Sequence, residues 1–368
     1  MTRWPDRRIL DLLDIEQPIL QAPMAGATGS AMAIAVANAG GLGALPCAML
    51  GLDEVRAEVE RFRHACQAPL NLNFFCHQPP PADPAAQQRW KLALKPYYEE
   101  LGADFDAPTP KSERAPFDHQ ACQLVETLRP EVVSFHFGLP PEPLVRRVKA
   151  TGAKVLGSAT TVEEAIWLQT HGCDAIIAMG YEAGGHRGMF LSEDIGTQIG
   201  TLALVPQVVD AVDVPVIAAG GIADHRGLLA ALALGASAVQ IGTAYLFCPQ
   251  AKVSPAHRRA LDEASASDTA LTNLFTGRPA RGINNRLMRE LGPMSPLAPH
   301  FPLAGGALVP LRKIGEARGD SDFGNLWAGQ ALRLGQHRSA GDLTRDIAFN
   351  ALAAMGRQGR VDDKPEEG

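Results

Sequence analysis

The sequence predicts an α/β fold, a (β/α)8 TIM barrel with a smaller, mainly helical inserted domain or lid. Short apolar runs alternate eight times with longer helical patterns, and glycine-rich turns follow the last two runs. An open, doubly wound sheet would also give alternating elements. The count of eight and the glycine-rich turns, which suit a phosphate group, favour the closed barrel.

The candidate strands are apolar on both faces. Such strands are expected when helices cover a barrel from outside and side chains fill its interior. In chain order they are Pro18–Gln21, Gly43–Leu45, Leu70–Phe75, Val132–Phe135, Lys154–Ser158, Ala175–Ala178, Val214–Ala218 and Ala238–Ile241.

Helical segments lie between these strands, and several carry capping signals at their ends. Thr161 is the predicted N-cap of a helix that ends before Gly172. Asp224 in the same way begins a helix that Gly235 ends.

Two regions interrupt the alternation of strands and helices. Gln78–His119 is rich in proline and polar residues and predicts an excursion after the third strand. From Pro249 to about Gln330 the pattern is helical and loop-like. We therefore expect a barrel of residues 1–248 and 335–358, a smaller helical and loop domain over the barrel mouth at 249–334, and a disordered tail at 359–368.

Composition and charge exclude several functional classes. The net charge of -6 leaves no basic stripe for nucleic acid. The most apolar stretch, Ala31 to Leu50, contains Asn38, Gly40 and Pro46 and is not a membrane span. Six scattered cysteines and the lack of a signal peptide predict a cytoplasmic protein. A homodimer is compatible with the sequence, which does not determine the oligomeric state.

Active sites of such barrels lie at the carboxyl ends of the strands. Gly220-Gly221 follows strand seven and Gly242-Thr243 follows strand eight, where barrels often bind phosphate through backbone N–H groups. A tight turn would explain one glycine pair alone, but two pairs at matching strand ends favour a phosphate site. The other candidates at strand ends are Ala22, Pro23, Met24, Asn73, Gly184, Gly185, His186 and Gln240.

His186 lies in the run Glu182-Ala183-Gly184-Gly185-His186-Arg187-Gly188. Glycines on both sides suggest close approach to a ligand, and a histidine can serve as base, acid or anion partner. Glu182 and Arg187 could orient the ring or pair with each other. No metal-ligand cluster, P-loop or dinucleotide fingerprint occurs. A cofactor with one phosphate would suit one pair of loops, which makes FMN the economical choice.

Seven motifs follow one another along the chain: Gln21 to Gly26, Ser134 to Gly138, Glu182 to Gly188, Ala218 to Ile222, Gln240 to Ala244, Gly277 to Gly282 and Trp327 to Gln330. This ordered set resembles the nitronate monooxygenases, formerly called 2-nitropropane dioxygenases. The resemblance extends from about Ile15 to Leu334.

The resemblance implies a barrel with FMN that oxidises alkyl nitronates with O2 to a carbonyl compound and nitrite. His186 matches the catalytic histidine of the family, and the stretch around Met24 would run along the flavin ring. The flavin contacts implied by matching positions are Asn73, Gly184, Gly221, Gln240, Gly242 and Thr243.

Two positions depart from the pattern of the family. Met179 stands where a glutamine commonly contacts the flavin, and Phe301 stands where a tyrosine is expected. Both changes remove a polar contact that the family pattern implies. The sequence therefore does not decide whether the substrate is a nitronate or a neutral nitroalkane. Two other functions remain alternatives: an NAD(P)H-dependent flavin reductase acting on quinones or enoyl thioesters, and a non-catalytic barrel that binds flavin or phosphate.

Overall fold

A computed structural model describes residues 3–110, 114–265 and 267–358. The tail predicted to be disordered, 359–368, lies outside the described residues. The strands are β1 (Ile19–Gln21), β2 (Gly43–Pro46), β3 (Leu70–Phe75), β4 (Val132–His136), β5 (Lys154–Ala159), β6 (Ala175–Met179), β7 (Gly185–His186), β8 (Val216–Ala219), β9 (Ala238–Ile241), β10 (Thr269–Thr272) and β11 (Ala280–Ile283).

Eight of these strands form one parallel sheet in the order β1-β9-β8-β6-β5-β4-β3-β2. A parallel bridge between Leu20 and Leu42 joins the two ends of this order and closes the sheet into a barrel. The predicted barrel is therefore confirmed, and each of the eight predicted strands has its counterpart. The strands are almost wholly buried, which explains why their sequences are apolar on both faces.

Helices alternate with the barrel strands and also occur in the excursion after β3 and in the inserted region. They are α1 (Arg8–Leu13), α2 (Ser30–Ala37), α3 (Leu52–Ala65), α4 (Pro84–Ala93), α5 (Lys95–Leu101), α6 (His119–Leu128), α7 (Glu142–Ala150), α8 (Val162–Thr170), α9 (Thr201–Ala211), α10 (His225–Ala233), α11 (Thr243–Leu246), α12 (Pro255–Glu263), α13 (Arg286–Leu291), α14 (Val309–Arg318) and α15 (Ala340–Gln358).

The predicted helix caps are present. The Thr161 hydroxyl accepts a hydrogen bond from the Glu164 N–H at 3.3 Å, and a carboxylate oxygen of Asp224 accepts one from the Arg226 N–H at 2.9 Å. These bonds satisfy amide groups that the first turn of a helix leaves unpaired.

The inserted region contains strands that the helical interpretation missed. β10 and β11 form an antiparallel hairpin, and β11 also pairs with β7, so that Ala280 lies opposite His186. This small sheet connects the segment that carries His186 to the inserted region. The pairing, and not the local sequence, creates these strands.

Apolar side chains form a main core and a second cluster. The main core includes the barrel interior and reaches α15 through Ala340, Leu343 and Ile347. The second cluster joins Trp90 and Tyr98, from the excursion after β3, to residues between Leu274 and Phe323. The sequence assigned this excursion to the barrel part, but its aromatic residues pack with the inserted region because that region supplies an apolar face. The domain boundaries at 248 and 335 stay predictions.

Candidate active site

A cavity of about 470 Å³ lies at the carboxyl ends of the barrel strands. Strand ends and the loops that follow them form most of its wall, as the barrel geometry predicts. The twelve residues predicted from the sequence all line it: Ala22, Pro23, Met24, Asn73, Gly184, Gly185, His186, Gly220, Gly221, Gln240, Gly242 and Thr243.

The loops after β8 and β9 form one end of the cavity. Gly220 and Gly221 have φ angles of +116° and +71°, a region that side chains disfavour. The Thr243 hydroxyl accepts a hydrogen bond from the Gly329 N–H at 2.8 Å, which leaves its own proton available to donate. This end of the cavity therefore offers a turn that only glycine fits easily, beside a hydroxyl donor.

His186 also lines the cavity and lies on β7. Its Nε2 is 2.9 Å from the Thr276 hydroxyl, and its carbonyl accepts a hydrogen bond of 3.2 Å from His136 Nε2. Four aromatic rings stand within 5.4 to 6.2 Å of the imidazole, measured between centroids. They belong to Phe75, Phe137, Phe301 and Trp327.

The apolar surroundings keep the imidazole of His186 neutral. Burial lowers its pKa well below 6.5, and the positive charge of Arg114 lowers it further. Burial also lowers the pKa of His77 and of His136 to about 4. A neutral ring can accept a proton, so this site suits a general base better than a cationic anion partner.

The side chains of Glu182 and Arg187 make no hydrogen bond to the His186 ring and none to each other. The Glu182 carboxylate accepts hydrogen bonds of 2.8 and 2.7 Å from the N–H and hydroxyl of Thr201, at the beginning of α9. Arg187 turns away from the cavity and donates to the Met179 and Gly180 carbonyls. The glycines between them allow the chain to turn so that these neighbours point in different directions.

The two departures from the expected pattern lie close to this site. Met179 lines the cavity at the end of β6 and is almost fully buried. Phe301 contacts His186 and packs edge-on against His77, with ring centroids 4.8 Å apart. Phe301 makes the surroundings of the imidazole more apolar, and Met179 makes the wall of the cavity more apolar.

Sequence reasoning did not single out Thr276 or Arg114. Thr276 is buried beside His186 although 90 positions separate them in the chain. Arg114 lines the cavity from the excursion after β3. Thr276 directly precedes the motif that begins at Gly277, which was the one signal available for it.

Two features are absent from the described part of the chain. Among residues 3–110, 114–265 and 267–358, no group of three or more His, Cys, Asp or Glu side chains could hold a metal ion. Within the same residues, no helix has the length and apolar character that a membrane crossing requires.

The fold and the cavity define a class of protein: barrel enzymes in which glycine turns after the last two strands and a half-buried histidine line one cavity. The nitronate monooxygenase family model matches residues 6–349, and the chain belongs to this family. Its members are flavin-dependent oxidoreductases, so this chain is a flavin-dependent oxidoreductase as well.

Individual proteins agree with this assignment. The chain is 43% identical to a nitronate monooxygenase of Pseudomonas aeruginosa, with 92% of this chain and 97% of the relative covered. It is 39% identical to a nitronate monooxygenase of Paraburkholderia phytofirmans, covering 93% and 94%.

Two solved structures are similar over almost their whole length. A nitroalkane oxidase from Streptomyces ansochromogenes superimposes with a TM-score of 0.87 at 37% identity, covering 95% of this chain and 99% of that one. FabK from Thermotoga maritima has a TM-score of 0.72 at 28% identity, covering 96% and 98%.

Proposed function

We propose that this protein oxidises alkyl nitronates with FMN and O2, and that His186 extends the reaction to neutral nitroalkanes. The products are a carbonyl compound and nitrite. The observation that carries the proposal is the position of the His186 imidazole, on the wall of the cavity and surrounded by four aromatic rings. The similar nitroalkane oxidase supports the second part, because nitroalkanes are neutral molecules.

The cavity fits a flavin with one phosphate. Its volume of about 470 Å³ falls in the range of ligand sites, roughly 300–1,000 Å³. Gln240 Oε1 is buried there and has no hydrogen-bond partner within the described residues. An unpaired buried acceptor costs about 1–3 kcal/mol, and the hydroxyl groups of a ribityl chain are donors that would remove this cost.

The residues that would hold FMN divide into two groups. Gly220, Gly221, Gly242 and Thr243 would hold the phosphate. The flavin ring and its side chain would lie against the rest of the predicted set, which is Ala22, Pro23, Met24, Asn73, Gly184, Gly185 and Gln240. When bound, FMN would take electrons from the substrate and pass them to O2.

The side chains around His186 have separate tasks. The neutral imidazole removes a proton from the α-carbon of a nitroalkane, and a nitronate does not need this step. Arg114 lines the cavity and brings positive charge to the surroundings of the ring, which favours an anionic nitronate there. The aromatic rings contact the alkyl part of the substrate and limit the access of water.

The proposal is tested with the flavin-loaded enzyme and its His186→Asn variant. Anaerobic addition of an alkyl nitronate should bleach the flavin of the wild type. His186→Asn should lower kcat/KM for the neutral nitroalkane about 100- to 10,000-fold, because the base is lost, and should change kcat/KM for the nitronate much less.

His257→Asn is the matched control, since His257 also lines the cavity and burial lowers its pKa to about 4. Equal losses on both substrates in His186→Asn would contradict the base role. Rapid bleaching by NADH and none by nitronate would favour a flavin reductase instead.

The expected compartment is the cytoplasm. All six cysteines are free in the structure, as a reducing compartment requires. The substrates are small molecules, either a nitronate or a nitroalkane, together with O2.

A further inference from the structure

His186 belongs to a long segment with little regular structure. Between the end of β6 and the beginning of α9, this segment contains the two residues of β7 and one 3-10 turn, Ile195–Thr197. Such a segment cannot hold a catalytic side chain still by its own backbone hydrogen bonds. Its position must depend on contacts that fasten it elsewhere.

Arg187, the residue after His186, supplies such contacts. Its side chain is completely buried, and burial lowers the pKa of its guanidinium to about 10, so that it stays protonated at neutral pH. Its side chain donates to two backbone carbonyls and one side-chain amide oxygen, and none of these three acceptors is a carboxylate. A buried cation with neutral partners is costly unless every donor direction has an acceptor.

The three bonds of the guanidinium join the two ends of the segment. Nη2 donates to the Met179 carbonyl at 2.7 Å, and Nη1 donates to the Gly180 carbonyl at 2.6 Å. Nε donates to Gln198 Oε1 at 2.8 Å, near the far end. The planar guanidinium has the fixed fork geometry that three such bonds need, and a lysine ammonium does not have it.

The connection continues into α8. Gln198 Nε2 donates to the Thr160 hydroxyl at 3.0 Å, which donates to Glu164 Oε2 at 2.8 Å. Glu164 is 1% exposed, and its Oε1 accepts bonds of 2.5 and 3.2 Å from the N–H groups of Phe190 and Leu191. The beginning, middle and end of the segment are therefore held by one buried network.

We infer that Arg187 is the positioning residue of His186, because its guanidinium closes the segment that carries the imidazole. The Arg187 N–H also donates to the Pro279 carbonyl at 2.8 Å, so backbone and side chain hold the same residue from two sides. The inference rests on the function proposed for His186. A displacement of about 1 Å at a reacting group can lower the rate about 100-fold. The contacts of Arg187 that join the two ends of the segment should therefore affect catalysis by His186.

The test uses the full-length, flavin-loaded enzyme with Arg187→Lys and Gln198→Leu. Arg187→Lys keeps the charge and loses the fork, and Gln198→Leu removes one acceptor and leaves Arg187 in place. We expect kcat/KM for a neutral nitroalkane to fall about 100-fold in the first variant and about tenfold in the second. The Cε1–H NMR signal of His186, assigned by its loss in His186→Asn, reports the titration of the ring without substrate.

In both variants water should reach the ring, and the pKa of His186 should rise toward its ordinary value. Arg258→Lys is the matched control, since Arg258 also bonds to three backbone carbonyls, those of Leu246, Phe247 and Ala251. It should lower thermal stability and leave the His186 signal unchanged.

The inference is overturned if Gln198→Leu, or a folded Arg187→Lys, keeps both kcat/KM and the His186 titration of the wild type. A wild type that does not turn over nitro compounds, with a His186 signal that still shifts in the variants, would contradict the proposed function and leave the positioning role in place. Gln198→Leu decides the matter if Arg187→Lys does not fold.

Discussion

Thr276 forms a hydrogen bond with the imidazole of His186. Its hydroxyl bonds to Nε2, which leaves the other ring nitrogen for the substrate or for a further contact. Thr276→Val keeps the shape of the side chain and removes the hydroxyl. A bond of this kind contributes about 0.5–1.5 kcal/mol, so kcat/KM for a neutral nitroalkane should fall roughly three- to tenfold.

Steady-state rates on a nitroalkane and on its nitronate check this prediction for Thr276. The nitronate rate should change less, because no proton is removed from it. Thr276→Ser should recover the nitroalkane rate. A serine variant as slow as the valine variant would show that the hydroxyl is not what matters.

Arg278 affects the pKa of His186 although the Phe137 ring contacts both residues. Its guanidinium lies 4.2 Å from the centre of the Phe137 ring, which in turn contacts His186. Burial is the largest cause of the low pKa of His186, and the charge of Arg278 contributes in the same direction. Removing a nearby positive charge favours the protonated ring, so Arg278→Met should raise the pKa of His186.

The consequence is visible in the pH profile of kcat/KM for a neutral nitroalkane. A base works only when it is unprotonated, so activity falls as pH drops through its pKa. The wild type should be flat around neutral pH, and in Arg278→Met the acidic limb should move to higher pH. Arg278→Lys keeps the charge and should keep the profile. A limb that does not move in the methionine variant would contradict the electrostatic role.

At the scale of secondary structure, the barrel strands were predictable and the inserted hairpin was not. A strand such as β6 is apolar at every position, since both of its faces are buried. β11 reads Ala-Arg-Gly-Ile and β7 is only Gly-His, patterns without strand character. These strands exist because they pair with each other, and pairing between distant segments leaves no local signal.

The same reasoning separates the predictable part of the site from the rest. Gly221 and Gln240 were predictable because strand ends of a barrel meet at one face. Thr276 reaches His186 through the inserted region, 90 positions away, and the Arg187 network joins three separate segments. Contacts of this kind depend on tertiary structure, so the sequence alone does not indicate them.

Gly184 connects the loop after β6 to the segment near Gly329. A Cβ at position 184 would lie 2.6 Å from the Gly329 nitrogen and 2.7 Å from the Ala328 carbonyl carbon. Both are backbone atoms and cannot move aside cheaply. Gly184→Ala should therefore separate the two segments, which both line the cavity, at a cost on the order of 1–3 kcal/mol.

Fluorescence titration of the apoprotein with FMN measures this effect of Gly184→Ala. The dissociation constant of FMN should rise about tenfold or more, because separating the two segments removes some of their contacts with the cofactor. Gly51→Ala is the control, because a Cβ there would meet only Glu54 Oε2 at an ordinary 3.6 Å. Equal affinity in all three proteins would show that the loops adapt.

On the scale of the whole molecule, the second apolar cluster joins the excursion after β3 to the inserted region. The excursion after β3 contributes Trp90 and Tyr98, which donate hydrogen bonds to the Ala304 and Ala307 carbonyls at 3.0 and 2.6 Å. At the surface Arg286 makes two contacts of 2.7 Å with the carboxylate of Glu100. Thr276 is part of this inserted region, so the stability of the cluster bears on the orientation of His186.

Trp90→Ala tests whether this cluster can loosen independently of the barrel. Trp90 is 1% exposed, and truncating a buried tryptophan costs about 3–5 kcal/mol. Because Trp90 belongs to the second cluster and not to the main core, Trp90→Ala should lower the stability of the inserted region. Hydrogen exchange should accelerate in α4, α5 and α14 and stay slow in the barrel strands.

Activity and cofactor affinity should then respond differently to Trp90→Ala. The turns that would hold the phosphate of FMN follow barrel strands, so FMN affinity should change little. Turnover of a neutral nitroalkane should fall, because a loosened inserted region no longer holds Thr276 against His186. Phe62→Ala, which truncates a fully buried ring in the main core, is the control and should accelerate exchange in the barrel as well. Uniform acceleration across both regions in Trp90→Ala would show instead that the two clusters unfold as one unit.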